Sequence, residues 1–266
     1  MDLYKAPLKL SAVIFISIAL LQWTSKGKRK QHASIPMNAQ NDSIRTVIAY
    51  PQYLNNNYIL GKFVAKQRDD FIQVPPEFST KPMFLRRDVF QMFYKMALQA
   101  QQDTIDLKII SATRSFEHQK RIWNYKWNIT YNSYPEYKRA LKILEYSSMP
   151  GTSRHHWGTD IDLNKLNNAY FSRGKGKKEY DWLMENAHNY GFYQVYTSKT
   201  YGRTGYHEEK WHWTYAPLSS LYLNYYNQYI TNDHIKDFDG AQYAPTLHML
   251  KNYVNGINPK VKIFKP

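Results

Sequence analysis

The segment Ser153–Leu163, SRHHWGTDIDL, constrains this chain more than any other stretch. Two adjacent histidines lead into a turn at Gly158, and Asp160 and Asp162 come next at alternate positions of a short β-rich run. In an extended strand these two carboxylates share one face while Ile161 points to the other, toward a core. Glycine lets the chain reverse between the histidines and the strand. Any fold of this chain must therefore bring imidazole and carboxylate together beside a sheet, a donor pair that suits zinc at ~2.0–2.2 Å. Taken alone, the pattern equally describes a solvated His-rich loop.

The chain contains no cysteine. That excludes a disulfide framework, a cysteine nucleophile, a thiolate metal site and a lipidated N-terminal cysteine, so a metal would have to be held by His, Asp or Glu. A second segment, Glu208–Tyr215 (EEKWHWTY), sets His212 between Trp211 and Trp213 on a predicted strand, facing away from both indoles. Such a histidine has a fixed rotamer in a partly dry setting, which suits a ligand and also describes an ordinary core histidine. Combined, the two segments supply two imidazoles, a carboxylate, and Glu209 just upstream of the last histidine. Three ligands, an open position for water and a carboxylate to take its proton are the minimum for catalytic zinc. His207 and His212 do not share a helical face, so the HExxH helix is absent.

In a third segment, Ser111–Gln119 (SATRSFEHQ), Arg114 lies in the turn between a predicted strand and a predicted helix, with Ser115 as N-cap. A guanidinium fixed there can clamp a carboxylate through paired hydrogen bonds. It equally fits a surface arginine tied to a neighbouring acid.

The 266 residues, 43% of them apolar, allow one large domain or two small ones. Tyrosine (24), phenylalanine (12) and tryptophan (7) are abundant, which suits half-open clefts as well as cores. A net charge of +15 favours polyanionic partners, whether nucleic acid, anionic lipid or an acidic wall polymer. No finger, helix-turn-helix or RNP pattern supports nucleic acid. An export segment argues against it as well. Lys5 and Lys9 precede the apolar run Leu10–Leu21, the right length for a signal h-region and short for a spanning helix. No small-x-small cleavage site comes after it. Gln22 and Trp23 could begin the interfacial end of an uncleaved anchor, while Lys26, Lys28, Arg29 and Lys30 resist translocation of the downstream chain.

Residues 1–30 are thus expected to form a signal peptide or N-terminal membrane anchor, the anchor using residues 10–23, with the remainder in the cell envelope. Residues 31–75 read as a linker with a short ordered stretch near Tyr50–Phe71, 76–218 as the catalytic domain, and 219–266 as a helical C-terminal extension. Apolar spacing predicts helices over Leu85–Ala97, Glu117–Trp127 and Tyr180–Tyr190, the last stopped by Gly191, and shorter ones around Leu221–Ile230 and Ala244–Val254. Strands are expected at Leu107–Ser111, Gly158–Leu163, Phe192–Tyr196 and Trp211–Tyr215. Without regular βαβ spacing the fold class is α+β.

Taken together, the three segments resemble the VanY-type D-alanyl-D-alanine carboxypeptidases, relatives of the VanX dipeptidases and the hedgehog-like zinc fold. That family shows S-G-Y-R-S followed by Gln, then S-x-H-x-x-G-x-A-x-D, then E-x-W-H. Here Ser111, Arg114, Ser115 and Gln119, then Ser153, His155, Gly158 and Asp162, then Glu209, Trp211 and His212 match in order and spacing, over roughly Phe84 to Tyr215. The resemblance implies a small antiparallel sheet flanked by helices in a single catalytic domain. It implies zinc on His155, Asp162 and His212, Glu209 as general base, and Arg114 on the substrate's terminal carboxylate. Ser111, Gln119 and Ser153 would orient the peptide or the metal shell.

The implied substrates are peptidoglycan stem peptides ending in D-Ala-D-Ala or in D-Ala after a diamino acid. An endopeptidase cutting cross-links is the alternative, as is a non-catalytic wall-binding module, although such a module would not need Glu209. Ala112 and Thr113 replace the family's Gly-Tyr, and Asp160 replaces its Ala. Strand alternation expects Asp160 to face the metal, adjusting charge there or meeting a cationic group of the substrate. His156 is expected either in the wall of the site or exposed.

Overall fold

The computed structural model describes residues 49–264. The expected signal or anchor segment, and the linker up to residue 48, lie outside the described residues. Among the described residues no helix is long and apolar enough to cross a membrane.

The fold begins with a single helical turn, α1 (Asn56–Ile59), capped by Asn55, whose side chain accepts from the Tyr58 N–H. Strands β1 (Phe71–Gln73) and β2 (Phe84–Arg86) pair antiparallel. β2 runs straight into α2 (Arg87–Gln102), whose Val89, Phe93, Met96, Ala97 and Ala100 form one buried stripe. Then come β3 (Ile109–Ser111), α3 (Phe116–Tyr125), α4 (Glu136–Ile143) and β4 (Asp160–Leu163). The chain continues through α5 (Gly174–Asn186), β5 (Phe192–Gln194), β6 (His212–Tyr215), α6 (Ala216–Tyr229) and α7 (Pro259–Lys262). The main sheet has the order β3-β4-β6-β5 with every neighbour antiparallel, so the architecture is the expected α+β one.

Alternation along the strands divides the molecule. Ile161, Leu163 and Trp213 enter one core with Phe93, Met96 and Leu183. Asp160, Asp162, His212 and Thr214 occupy the alternate positions of β4 and β6 and so share the other face. On that side a second core gathers Trp123, Trp157, Tyr222 and Tyr226. Trp157 ties the chain ends to it. Its indole N–H donates to the Ile59 carbonyl, its own carbonyl accepts from the Tyr58 hydroxyl, and its ring meets Tyr222 and Tyr226.

Three expectations need correction. The ordered stretch expected near Tyr50–Phe71 is more than a linker's local structure, because Leu54, Tyr58, Ile59, Leu60, Phe71 and Val74 of residues 49–75 are buried in the domain. Their apolar side chains come singly among Asn, Gln and Pro, so no periodicity reveals them. Helix α5 begins at Gly174 rather than Tyr180, since its polar first turns carry no apolar pattern. The expected first turn of α2 is β2; α1 is a single turn too short to show a period, whereas α4 is amphipathic, burying Ala140 and Ile143, and is missed although that signal is present. The segment after residue 218 completes the core through Tyr222, Leu223, Tyr226, Ile230, Met249 and Val254.

Candidate metal centre

The sheet register assembles the site. Ser111 of β3 lies opposite Asp162 of β4, and Asp162 lies opposite His212 of β6, so the three form a row across adjacent strands. His155 comes from the short helical turn Arg154–Trp157 that precedes β4. That turn ends at Gly158, whose φ of +72° is left-handed. A Cβ there would meet the Phe71 ring at 2.6 Å, so the reversal requires glycine on both counts. The result is a buried trio, His155, Asp162 and His212, with one donor atom from each within 4.8 Å of the others.

Hydrogen bonds decide which nitrogen each imidazole presents. His155 Nδ1 lies 2.8 Å from the Ala112 carbonyl, which can only accept, so Nδ1 carries the proton. Burial first, and Arg114 second, lower the His155 pKa and keep the ring neutral. Its Nε2 is therefore a bare lone pair, buried without a hydrogen-bond partner and only 3.3 Å from Asp162 Oδ2. Two acceptors at that distance repel unless a cation lies between them. Burial would raise the Asp162 pKa, but the shift is downward, with His212 contributing a hydrogen bond and charge, and the carboxylate is ionised.

His212 presents the opposite nitrogen. Its Nε2–H donates to Asp160 Oδ2 at 2.9 Å, leaving Nδ1 at 3.2 Å from Asp162 Oδ1 and 3.3 Å from Glu209 Oε2. Burial opposes protonation of His212, yet Asp160, Asp162 and Glu209 together raise its pKa well above the ordinary value. Tetrahedral coordination with bonds of ~2.1 Å spaces ligand atoms ~3.4 Å apart, close to the separations seen at Asp162. The donor set fits a divalent ion.

Asp160 is entirely buried and is not among the residues that line the open cleft. Besides His212 it accepts from Arg154 Nε at 2.8 Å and from the hydroxyls of Thr159 and Thr214. Arg154 lies over the Trp157 ring and also donates to the Thr214 hydroxyl. The carboxylate that replaces the family's alanine thus holds one nitrogen of His212, a residue of the trio that could bind a metal. Sequence reasoning misses both Arg154 and Thr214. A strand-borne Asp in an alanine position is the available signal, since a buried carboxylate demands a cation nearby.

Glu209 is buried next to His212, and burial raises its pKa although His212 opposes the shift. Its backbone is clamped by the Tyr196 carbonyl and the Gln194 side chain. Arg114 is anchored from behind. Its N–H donates to the His155 carbonyl, and its own carbonyl accepts from His156 Nδ1 at 2.7 Å. Its guanidinium donates to Gln119 Oε1 at 2.9 Å and approaches Asp162 Oδ2 at 3.5 Å. Gln119 is buried and in turn donates to the Ser148 carbonyl, which makes it a support for Arg114 rather than a substrate contact. His156 is buried rather than exposed, its Nε2 accepting from the Gly151 N–H.

Ser111, Arg114, Asp162 and Glu209 line one open cleft of about 600 Å³, and Trp211 and Tyr146 form part of its wall. Trp211 lies just before β6, so it faces the cleft while Trp213 enters the core. Ser153 is buried and is not among the residues of the cleft wall.

The chain is similar to YodJ of Bacillus subtilis (strain 168), with 28% identity over 139 residues, covering 50% of this chain and 46% of that protein. It is 27% identical over 122 residues to a D-alanyl-D-alanine carboxypeptidase of Enterococcus faecalis, covering 46% and 44%. The chain therefore spans just under half the length of these two relatives. A solved D,D-pentapeptidase VanY from a VanB-type resistance cassette, in complex with Zn(II), is 21% identical and covers 56% of this chain and 88% of that one, with a TM-score of 0.44. The VanY family profile, described as D-alanyl-D-alanine carboxypeptidase, matches residues 82–218, which begin ahead of β2 and end past β6 and so enclose every residue of the centre. More than half of the chain follows that profile, and the chain belongs to the VanY family.

Proposed function

We infer that this chain is a zinc-dependent carboxypeptidase that releases C-terminal D-alanine from peptidoglycan stem peptides, acting outside the cytoplasm. The observation that carries the reading is the row Ser111–Asp162–His212 facing His155, with Glu209 against the same histidine and Arg114 against the same aspartate. Zinc on His155 Nε2, Asp162 and His212 Nδ1 would supply a Lewis acid that polarises the scissile carbonyl and brings the pKa of water toward ~7.

The chain's own residues supply the rest. Glu209, kept dry and adjacent to the donor set, takes the proton from the attacking water and returns it to the departing amine. Arg114, fixed through its backbone by His155 and His156 and through its side chain by Gln119, binds the terminal carboxylate and sets the register of the peptide. Asp160 holds His212 in the tautomer that leaves Nδ1 free. Ser111 lies at the end of the row, within reach of the bound peptide.

Digestion of purified muropeptides ending in D-Ala-D-Ala, or in D-Ala after a diamino acid, tests this with and without a zinc chelator. Free D-alanine that appears only without chelator is expected, and the muropeptide consumed identifies the bond. Cleavage inside a cross-link with no D-alanine released would make the enzyme an endopeptidase. No cleavage of any muropeptide by the metal-loaded chain would leave the wall-binding reading.

A further inference from the structure

Lys126 is a cation in the substrate cleft that the catalytic scheme does not use. Helix α3 ends at Tyr125, and the chain passes into a wider π-helical turn, Lys126–Thr130. Trp123 and Trp127 flank Lys126 and are both buried, which fixes the turn against the core. Such single π turns recur at functional sites because they re-aim one side chain. Lys126 is the first residue of this turn. It lines the cleft with Arg114, Asp162 and Glu209, and its ammonium donates to the hydroxyl of Ser147.

Ser147 is neutral, and among the described residues no carboxylate lies within ion-pair distance of Lys126. An ammonium has three donors, and the serine uses one. Partial burial first, and the neighbouring Arg114 charge second, disfavour its charged form, and Glu209, beyond ion-pair distance, offsets them only in part. Holding a half-buried ammonium beside a guanidinium costs stability unless an anion is brought to it. Lys81 and His118 line the same cleft, which adds basic side chains to the wall that also carries Asp162 and Glu209.

Resting on the carboxypeptidase reading, this arrangement goes further in naming the substrate. One terminal carboxylate is matched by Arg114, and Lys126 offers a second place. We propose that Lys126, seated on Ser147, is a carboxylate subsite that selects stem peptides whose residue before the released D-alanine carries a free side-chain carboxylate. A diaminopimelate-type residue has that carboxylate. Lysine in the same place presents only an ammonium, which Lys126 and Arg114 repel.

The test uses three peptides that differ only in that residue: diaminopimelate, its side-chain amide, and lysine. Release of D-alanine from each is followed with the zinc-loaded full chain, Lys126→Met and Lys126→Arg, whose melting temperatures report folding. Wild type should prefer the free carboxylate by about tenfold or more in kcat/KM, mostly through KM, as loss of one charge-assisted contact implies. Lys126→Met should lose that preference, falling on the diaminopimelate peptide and staying level or rising on the amide and lysine peptides whose ammonium it no longer repels, and Lys126→Arg should retain it.

Equal use of all three peptides by wild type overturns the proposal without any variant. An equal loss on all three in a folded Lys126→Met also overturns it, since Lys126 would then serve the terminal carboxylate. If wild type releases D-alanine from none of them, a peptide ending in D-Ala-D-Ala decides whether the carboxypeptidase reading fails as well, and calorimetric binding of the same three peptides decides the subsite. Tighter binding of the diaminopimelate peptide that Lys126→Met abolishes supports it, and indifferent binding overturns it.

Discussion

His212 Nε2 donates to Asp160 Oδ2 at 2.9 Å, and the same oxygen accepts from Arg154 Nε at 2.8 Å. One strand thus carries two carboxylates with different tasks. Asp162 faces the metal position, while Asp160, across from Thr214, holds the histidine that faces it. Burial would raise the Asp160 pKa, but Arg154 and His212 outweigh it and keep it ionised. Asp160→Asn should weaken zinc binding ~10–100-fold, the usual effect of losing an orienting partner of a metal-bound histidine. Asp160→Ala should in addition destabilise the fold by ~3–5 kcal/mol, because Arg154 is left buried without its partner. Competition with a chromogenic chelator and urea unfolding of the metal-free protein measure the two effects. An unchanged zinc affinity in Asp160→Asn would show that His212 is oriented by packing alone.

Glu209→Gln isolates the base from the ligands. The His155, Asp162 and His212 donors are untouched, so bound zinc should stay within a few-fold of wild type while D-alanine release falls ~10²–10⁴-fold. The pH profile gives a second readout. Burial raises the Glu209 pKa, and only the ionised carboxylate accepts a proton. Activity should therefore fall with decreasing pH along a limb centred above the ordinary glutamate value of ~4.3. A Gln variant that keeps both the rate and the limb would remove Glu209 from the mechanism.

His156 makes stability depend on pH. Burial pushes its pKa down to about 3, with the Arg114 carbonyl opposing and the Arg114 charge adding to the shift. The unfolded chain takes up this proton near pH ~6.5, whereas the folded chain does so only near 3. Stability is therefore complete above the unfolded value and declines as the pH falls toward 3, by ~1.4 kcal/mol per pH unit for one proton. His155, also lowered, adds to the slope. In chelated protein, His156→Asn should lower stability at pH 7 by ~1–3 kcal/mol, since the Gly151 N–H loses its acceptor. Between pH 6 and 4 it should also flatten the slope by about one proton. Parallel slopes for the two proteins would mean that His156 does not carry the titration.

The grouping of His155, Asp162 and His212 as residues that could hold a metal is legible in the sequence because its logic is local. Strand alternation sets Asp162 and His212 on the face opposite Ile161 and Trp213, and a glycine marks the reversal after His155. The contacts of those residues are not legible. That Asp160 serves His212 depends on Arg154 folding back over Trp157 from the preceding turn, a contact with no periodic signature. The π-helical turn that begins at Lys126 is hidden for a similar reason, since it continues the apolar pattern of α3 without a break. The chain ends read as peripheral because their buried side chains are isolated tyrosines and aliphatics among polar residues. Tyrosine counts as surface or core depending on what packs above it.

The family match ends at residue 218, as though the remainder could be removed. Packing argues otherwise. Tyr222 and Tyr226 pack on Trp157, whose turn holds His155, and the Tyr226 hydroxyl donates to the Gly151 carbonyl, in the turn whose N–H supports His156. Burying Tyr222, Leu223, Tyr226, Ile230, Met249 and Val254 contributes ~1.5–3 kcal/mol for each side chain. Their sum is comparable to the whole stability of a domain, ~5–15 kcal/mol. A chain ended after residue 218 should therefore show no cooperative thermal transition by circular dichroism and should bind zinc far more weakly than the full chain. If that shortened chain melts cooperatively and binds zinc like the full one, the C-terminal segment is an appendage rather than part of the scaffold that sets His155.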